Sequence, residues 1–365
     1  DVPMQFGIQM VFQNFDRANS GVTDGQIYDE EIRLGILAEK LGFDALWPVE
    51  HHFEDYSFCP DNTQFLSYMA ARTKRIKLGT GAVILPWNVP VRIAEKVVLL
   101  DHLCQGRTLF GMGRGLARKE YAGMGVNMDE ARQRFDEASP MIIDALETGF
   151  IEGSGPFYPQ KRIEIRPNPR GSFKGRIYQV AMSPESVLQC AKAGARMVIF
   201  AQKPWEAQAE AVKEYKAAYK TQHGNDAPPI MICDFTYCDT DPARAKELGQ
   251  KYVTNYLLSV LDHYELAGEH FKDAKGYESY AQAVDAIRAL GKEGMAKTYL
   301  DVTAWGTPRE IVEKFEYRKS LLGEFDINPC FLFGGMSYEE AAESMRSFAR
   351  HVIPTLRKSS NRKVA

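Results

Sequence analysis

Gln105-Gly106-Arg107-Thr108-Leu109-Phe110-Gly111-Met112-Gly113-Arg114-Gly115 is the stretch on which the reading of the fold turns. Thr108 to Phe110 is a short apolar run of strand character. Gly111, Gly113 and Gly115 follow at alternate positions, with Arg114 between the last two. Glycine lets a backbone turn sharply and lets a ligand approach it. Arginine presents a planar fork of donors that suits a phosphate. A strand ending this way reads as the lip of an anion site, or as a plain glycine-rich turn. It is not the dinucleotide fingerprint, which needs a third glycine three places after the second; Leu116 stands there.

Outward from this strand, strand-like and helix-like segments alternate in both directions. Strands are expected at 5–11, 45–49, 76–80 and 108–110, then at 177–181, 197–201, 230–238 and 329–333. Helices are expected at 28–41, 65–72, 89–103 and 131–146, from Pro184, at 206–218, and from Thr307 and Ser337. The apolar residues of these helices recur with the period of one helical face: Val89, Ile93, Val97 and Leu100, for example. Thr307-Pro308-Arg309-Glu310 combines an N-cap hydroxyl, a proline at the first helical position and a capping-box glutamate. Residues 150–175 break the rhythm as a loop with a small hairpin. Residues 241–301 form a long segment, helical in parts. Eight strands separated by helices point to an α/β protein, a (β/α)8 TIM barrel with insertions after strands 4 and 7. An open doubly wound sheet is the competing arrangement, but no composition shift marks a boundary. One domain over 1–357 is expected, followed by a polar tail at 358–365.

The composition narrows the function. The 365 residues are 45% hydrophobic and 25% charged, with a formal net charge of −3. That balance gives no electrostatic reason to expect a nucleic-acid partner. No apolar run approaches the roughly 18 residues that span a bilayer, so no membrane partner is expected. The opening Asp1-Val2-Pro3-Met4 lacks the basic-then-apolar pattern of a signal peptide, although trimming would remove one. Six cysteines without a C-x-x-C pair suggest buried thiols and a cytoplasmic location.

In such barrels ligands bind at the carboxyl ends of the strands. The second strand runs into Glu50-His51-His52, the third into Gly81-Ala82, the fourth into Gly113-Arg114-Gly115 and the fifth into Met182-Ser183-Pro184-Glu185-Ser186. The last is a helix start, whose free N–H groups and partial positive charge suit a phosphate; an ordinary capped helix has the same look. Successive strand residues point to opposite faces, so His51 and His52 do not share one ion, and no metal is expected. A histidine at the barrel mouth suits acid–base work, or is structural. Met10, Phe12, Trp47, Met112 and Trp305 are candidates to wall a flat aromatic ligand, or plain core.

These motifs, with Gly79-Thr80-Gly81-Ala82-Val83-Ile84-Leu85-Pro86, Gly106-Arg107 and Gly306-Thr307-Pro308, give the chain a resemblance to the bacterial luciferase-like, flavin-dependent monooxygenases. It runs from Met4 to about Arg357 and is strongest toward the luciferase catalytic subunit. The resemblance implies FMN at the barrel mouth. Its phosphate would be held by Arg114, Ser183, Ser186, Arg132 and the backbone of Met182. Arg132 reads equally as a solvated arginine. A non-proline cis peptide at Gly81–Ala82 would lie under the flavin ring, Glu50 would belong to the cofactor group, and His51 matches the catalytic histidine. Where luciferase has a reactive cysteine this chain has Gly113, which puts luminescence in doubt.

The function this implies is a two-component monooxygenase. Reduced FMN from a separate NAD(P)H:flavin reductase and dioxygen would oxygenate a small, largely apolar substrate by way of a peroxyflavin. Residues 241–301 would form a lid. A homodimer through the second and third helices is implied as well. A deazaflavin-dependent oxidoreductase and a non-catalytic flavin-binding subunit are the alternatives.

Overall fold

The computed structural model describes residues 3–360. Eight parallel strands close into a barrel: β1 (Gly7–Met10), β2 (Ala45–Pro48), β3 (Lys77–Gly79), β4 (Thr108–Gly113), β5 (Ile177–Val180), β6 (Arg196–Phe200), β7 (Ile230–Phe235) and β8 (Phe325–Cys330). Each pairs with the next in the chain. β8 returns to β1 through Gln9 and Cys330, and β3 meets β4 through Leu78 and Thr108. The short piece Val83–Ile84 adds to β4 beside Met112 and Gly113.

The barrel interior is organised by Trp47. Its indole lies edge-on to Tyr178 at 4.8 Å. A Cβ on Gly7 would come within 2.7 Å of that indole and one on Gly79 within 2.5 Å. Side chains are excluded at both positions because the tryptophan already fills the space. Across β4, a Cβ on Gly111 would meet the Thr80 carbonyl oxygen at 2.1 Å.

The surrounding helices start where the sequence supplies caps. Thr307 and Ser337 each form a capping box, with Glu310 and Glu340. The first long helix begins at Asp24, earlier than its apolar periodicity suggests, because Thr23 and Gln26 cap it in the same way. The expected hairpin is present as Phe150–Gly153 paired with Gln160–Glu164. All six cysteines are buried and free. Among the described residues no helix is long and apolar enough to cross a membrane.

Four expectations are corrected. The strand expected at 230–238 ends at Phe235, and Tyr237–Cys238 pairs instead with Trp305–Gly306 in a separate two-stranded sheet. β8 is Phe325–Cys330, not 329–333, because its polar residues meet tertiary partners: Asp326 takes Arg196 at 2.9 Å and the Asn328 amide donates to Cys233 Sγ at 3.5 Å. Lys358 and Ser359 belong to the helix Ile353–Ser359 rather than to a tail, and 361–365 lie outside the described residues. Met10, Phe12 and Met112 do not wall a ligand. They pack outward in the core between barrel and helices, Met10 against the helix Asp24–Leu41 at Gly35. Trp305 turns its indole N–H to the Leu300 carbonyl.

Candidate active site

The carboxyl ends of β2, β4 and β5 carry the site. After β2 the chain enters Glu50-His51-His52, and the two histidines part company. His52 turns to Glu50, with Nε2 2.6 Å from Oε2. Glu50 is buried, and its oxygens also accept from the Ile84 N–H at 3.0 Å and from the Asn88 amide. It thereby holds the turn that follows Gly81–Ala82. That peptide bond is cis. Asn62 donates to the Ala82 carbonyl at 3.0 Å and Gly81 N–H to that of Pro48 at 2.9 Å. Burial works against the charged form of His52, but the hydrogen bond and charge of Glu50 outweigh it and raise its pKa.

His51 turns the other way, to Glu120 on the helix Arg118–Met124. Its Nδ1 lies 2.8 Å from Glu120 Oε1. The same oxygen takes His263 Nε2 at 2.6 Å, and Oε2 accepts the His52 backbone N–H at 3.0 Å. His51 Nε2 faces the Tyr264 hydroxyl at 3.2 Å. Burial disfavours the Glu120 carboxylate, yet the charge of a protonated His51 and the hydrogen bonds from both rings hold its pKa down to about 2. Donor atoms of His51, Glu120 and His263 lie within 4.8 Å of one another. The carboxylate oxygen nevertheless sits at hydrogen-bond distance from both nitrogens, closer than the about 3.3 Å that two ligands of a tetrahedral zinc keep. This is a shared carboxylate, arranged to orient His51.

The second half of the site lies at the start of the helix Pro184–Lys192. Ser183 is its N-cap and accepts from the Ser186 N–H. The guanidinium of Arg132 reaches both hydroxyls, 3.1 Å from Ser183 Oγ and 2.9 Å from Ser186 Oγ. Its nearest carboxylate, Asp136, is 4.0 Å away. Burial and then the charge of Arg114 lower its pKa. Two cations that disfavour each other, two hydroxyls and a helix N-terminus form a donor set, with Asp136 and Glu185 as the carboxylates whose charges also act on Arg132. That set fits a phosphate. Arg114 itself donates to the Gly276 carbonyl and lies 4.2 Å over the Tyr277 ring.

Residues 241–301 fold as Pro242–Tyr264, His270–Asp273 and Glu278–Val302. They supply His263, Tyr264, Gly276 and Tyr277 to the site. The Tyr277 hydroxyl also donates to the Gly115 carbonyl at 2.8 Å. Phe271, Tyr277 and Val284 bury themselves with Ile84, Trp87 and Tyr121.

The structure thus brings Arg132, Ser183 and Ser186 together, with Arg114 near enough to repel Arg132. Met182 is half-buried one residue before the cap. Glu50 has both oxygens on protein donors. The sequence reading missed Glu120, His263 and Tyr264.

The family model described as luciferase-like monooxygenase matches residues 4–324. The chain belongs to the luciferase-like monooxygenase family. It is similar to the alkanal monooxygenase alpha chain of Photobacterium leiognathi, at 27% identity over 92% of this chain and 96% of that one. The flavin-dependent trigonelline monooxygenase oxygenase component of Acinetobacter baylyi is 24% identical over 96% of this chain and 95% of its own. Among solved structures, monooxygenase RslO1 from Streptomyces bottropensis superposes with a TM-score of 0.77 at 26% identity, covering 96% of this chain and 99% of that one. A coenzyme F420-dependent tetrahydromethanopterin reductase from Methanopyrus kandleri shares the fold, with a TM-score of 0.69 at 20% identity over 97% of this chain and all of its own. This member of the luciferase-like monooxygenases is accordingly a flavin-dependent enzyme.

Proposed function

We propose that this chain is the oxygenase component of a two-component system. Reduced FMN from a separate NAD(P)H:flavin reductase and dioxygen would serve to oxygenate a small, largely apolar organic substrate. The observation that carries the reading is the Arg132–Ser183–Ser186 cluster, beside a histidine held by a buried carboxylate. The names of the trigonelline and alkanal monooxygenase relatives support it.

In this reading Arg132, Ser183, Ser186, Arg114 and the backbone of Met182 hold the FMN phosphate. Gly81 and Ala82 support the ring, and Glu50 acts only through the turn it holds. Reduced flavin, when bound, supplies electrons to activate dioxygen. His51 accepts or returns a proton at Nε2, because Nδ1 is committed to Glu120. Residues 241–301 act as a lid that excludes water. A homodimer through the helices Asn62–Arg72 and Pro90–Leu103 is part of the proposal, supported by the exposed Tyr68, Leu99 and Leu103. So is a cytoplasmic location, supported by the free thiols.

The test is to mix the protein anaerobically with reduced FMN and admit air in a stopped-flow spectrometer. Reoxidation far slower than that of free reduced FMN, hastened by an organic substrate that is oxygenated, is the expected result. Reoxidation at the free rate overturns the proposal and sends the search to a deazaflavin cofactor and hydride transfer without oxygen.

A further inference from the structure

His263 is a buried titratable group to which the proposed chemistry gives no task. It is 1% exposed, next to last in the helix Pro242–Tyr264. Its ring stacks on Tyr56, with centroids 4.4 Å apart and planes 16° from parallel. Nε2 lies 2.6 Å from Glu120 Oε1, the oxygen that also takes His51 Nδ1 at 2.8 Å. Its Nδ1 has no partner among the described residues. An ionised carboxylate only accepts, so both rings must donate to it. His51 then carries its proton on Nδ1 and His263 on Nε2. The bare Nδ1 of His263 fits a neutral ring, in line with the burial that lowers its pKa.

The arithmetic of one oxygen and two donors has a consequence for His51. A carboxylate with a single imidazole partner directs its whole charge at that ring and favours the imidazolium. A second N–H on the same oxygen takes up part of that charge. From this we infer that His263 is a positioning residue: by sharing Glu120 Oε1 it weakens the hold of the carboxylate on a second proton at His51 Nε2, while the carboxylate itself keeps His51 in the Nδ1–H form. The inference rests on the reading of His51 as the acid–base group.

The other groups that face this pair do not substitute for it. Tyr264 comes from the same helix, Tyr256 from two turns earlier, and Tyr56, Glu54 and His52 from the chain after β2. Burial pushes the Tyr56 phenol up to about 12 and those of Tyr256 and Tyr264 well above their ordinary value, so all three stay neutral. Glu54 is paired with Lys119 at 3.2 Å, and Glu265, next to Tyr264, with Arg118 at 2.6 Å. His52 is committed to Glu50.

Two variants separate positioning from mere packing. His263→Phe keeps the ring stack and removes the donor. His263→Gln restores an N–H close to where Nε2 lies. Long-range 1H–15N NMR on the ligand-free protein reads histidine tautomers, with His51→Gln assigning the signal. Wild type and His263→Gln are expected to show His51 protonated on Nδ1. In His263→Phe the His51 titration midpoint should rise by roughly 0.5–1 pH unit, with the acid limb of kcat/KM moving alike. Three identical titrations, or His51 protonated on Nε2 in the wild type, would overturn the inference. Should His263→Phe not fold, a wild-type His263 protonated on Nδ1 does so, and one protonated on Nε2 with an unchanged His51 in His263→Gln upholds it. The NMR needs no turnover. A protein with these tautomers that oxygenates nothing defeats the proposed function and leaves the role of His263 standing.

Discussion

Glu120 reaches His51 across 69 positions of sequence and meets its Nδ1 at 2.8 Å, with no exposed surface on the carboxylate. Ionised, it dictates which imidazole nitrogen carries the proton. Glu120→Gln keeps the volume and removes the charge. The amide then presents a donor where a donor already stands. We expect kcat/KM to fall by roughly 100-fold, within the range that proton transfer contributes. The FMN dissociation constant should change less than about threefold. Steady-state kinetics with fluorescence titration of FMN checks both, and an equal loss in the two would assign Glu120 to cofactor binding.

Arg132→Ala should weaken FMN binding by roughly 10- to 100-fold, the value of one or two charge-assisted hydrogen bonds. Riboflavin has no phosphate, and its affinity should be unchanged. Parallel calorimetric titrations of the two flavins decide it: equal losses for both would remove Arg132 from the phosphate.

Glu31 lies inside the helix Asp24–Leu41 at 1% exposure, with Oε2 unpartnered among the described residues. Burial pushes its pKa up to about 8 from an ordinary 4.5. The folded chain therefore keeps a proton that the unfolded chain releases above pH 4.5. Stability is lost as pH rises from about 4.5 to about 8 and then levels off. Glu31→Gln removes that loss. Its Tm should match the wild type near pH 4.5 and exceed it by at least about 3 °C at pH 9, where 1 kcal/mol is worth about 2–4 °C. A pH series of melting curves with a constant difference would show that Glu31 is ionised in the fold.

Gly111→Ala places a methyl 2.1 Å from the Thr80 carbonyl oxygen. Backbone cannot yield cheaply, so a loss of about 3 kcal/mol or more is expected, at the upper end of overpacking costs. Gly171→Ala meets nothing within 4 Å and should be neutral. Urea denaturation of the two variants makes the comparison, and equal stabilities would mean that β3 and β4 separate without cost.

The sequence exposes much of this fold because its signals are local. Short apolar runs mark the strands, and Thr307 and Ser337 mark helix starts that need no tertiary information. Ser183-Pro184 is legible for the same reason. Glu120 is not. It sits in Arg118-Lys119-Glu120-Tyr121, a run that reads as solvated, and only the approach of two distant histidines makes its burial tolerable. His263, between Asp262 and Tyr264, carries no local sign of its partner either. β8 was misplaced for a related reason: Asp326 and Asn328 look like loop until Arg196 and Cys233 are brought beside them.

Trp47 and the glycines around it also bear on how such a barrel changes over generations. An indole exchanged alone for a small side chain leaves a void, at about 3–5 kcal/mol. A glycine exchanged alone collides with the indole. Neither half of the arrangement can be altered first without passing through a weakened protein, so the positions are inherited together. The rim above, built from strand ends and the 241–301 segment, carries no such lock. New substrates can be accommodated there while the floor stays as it is.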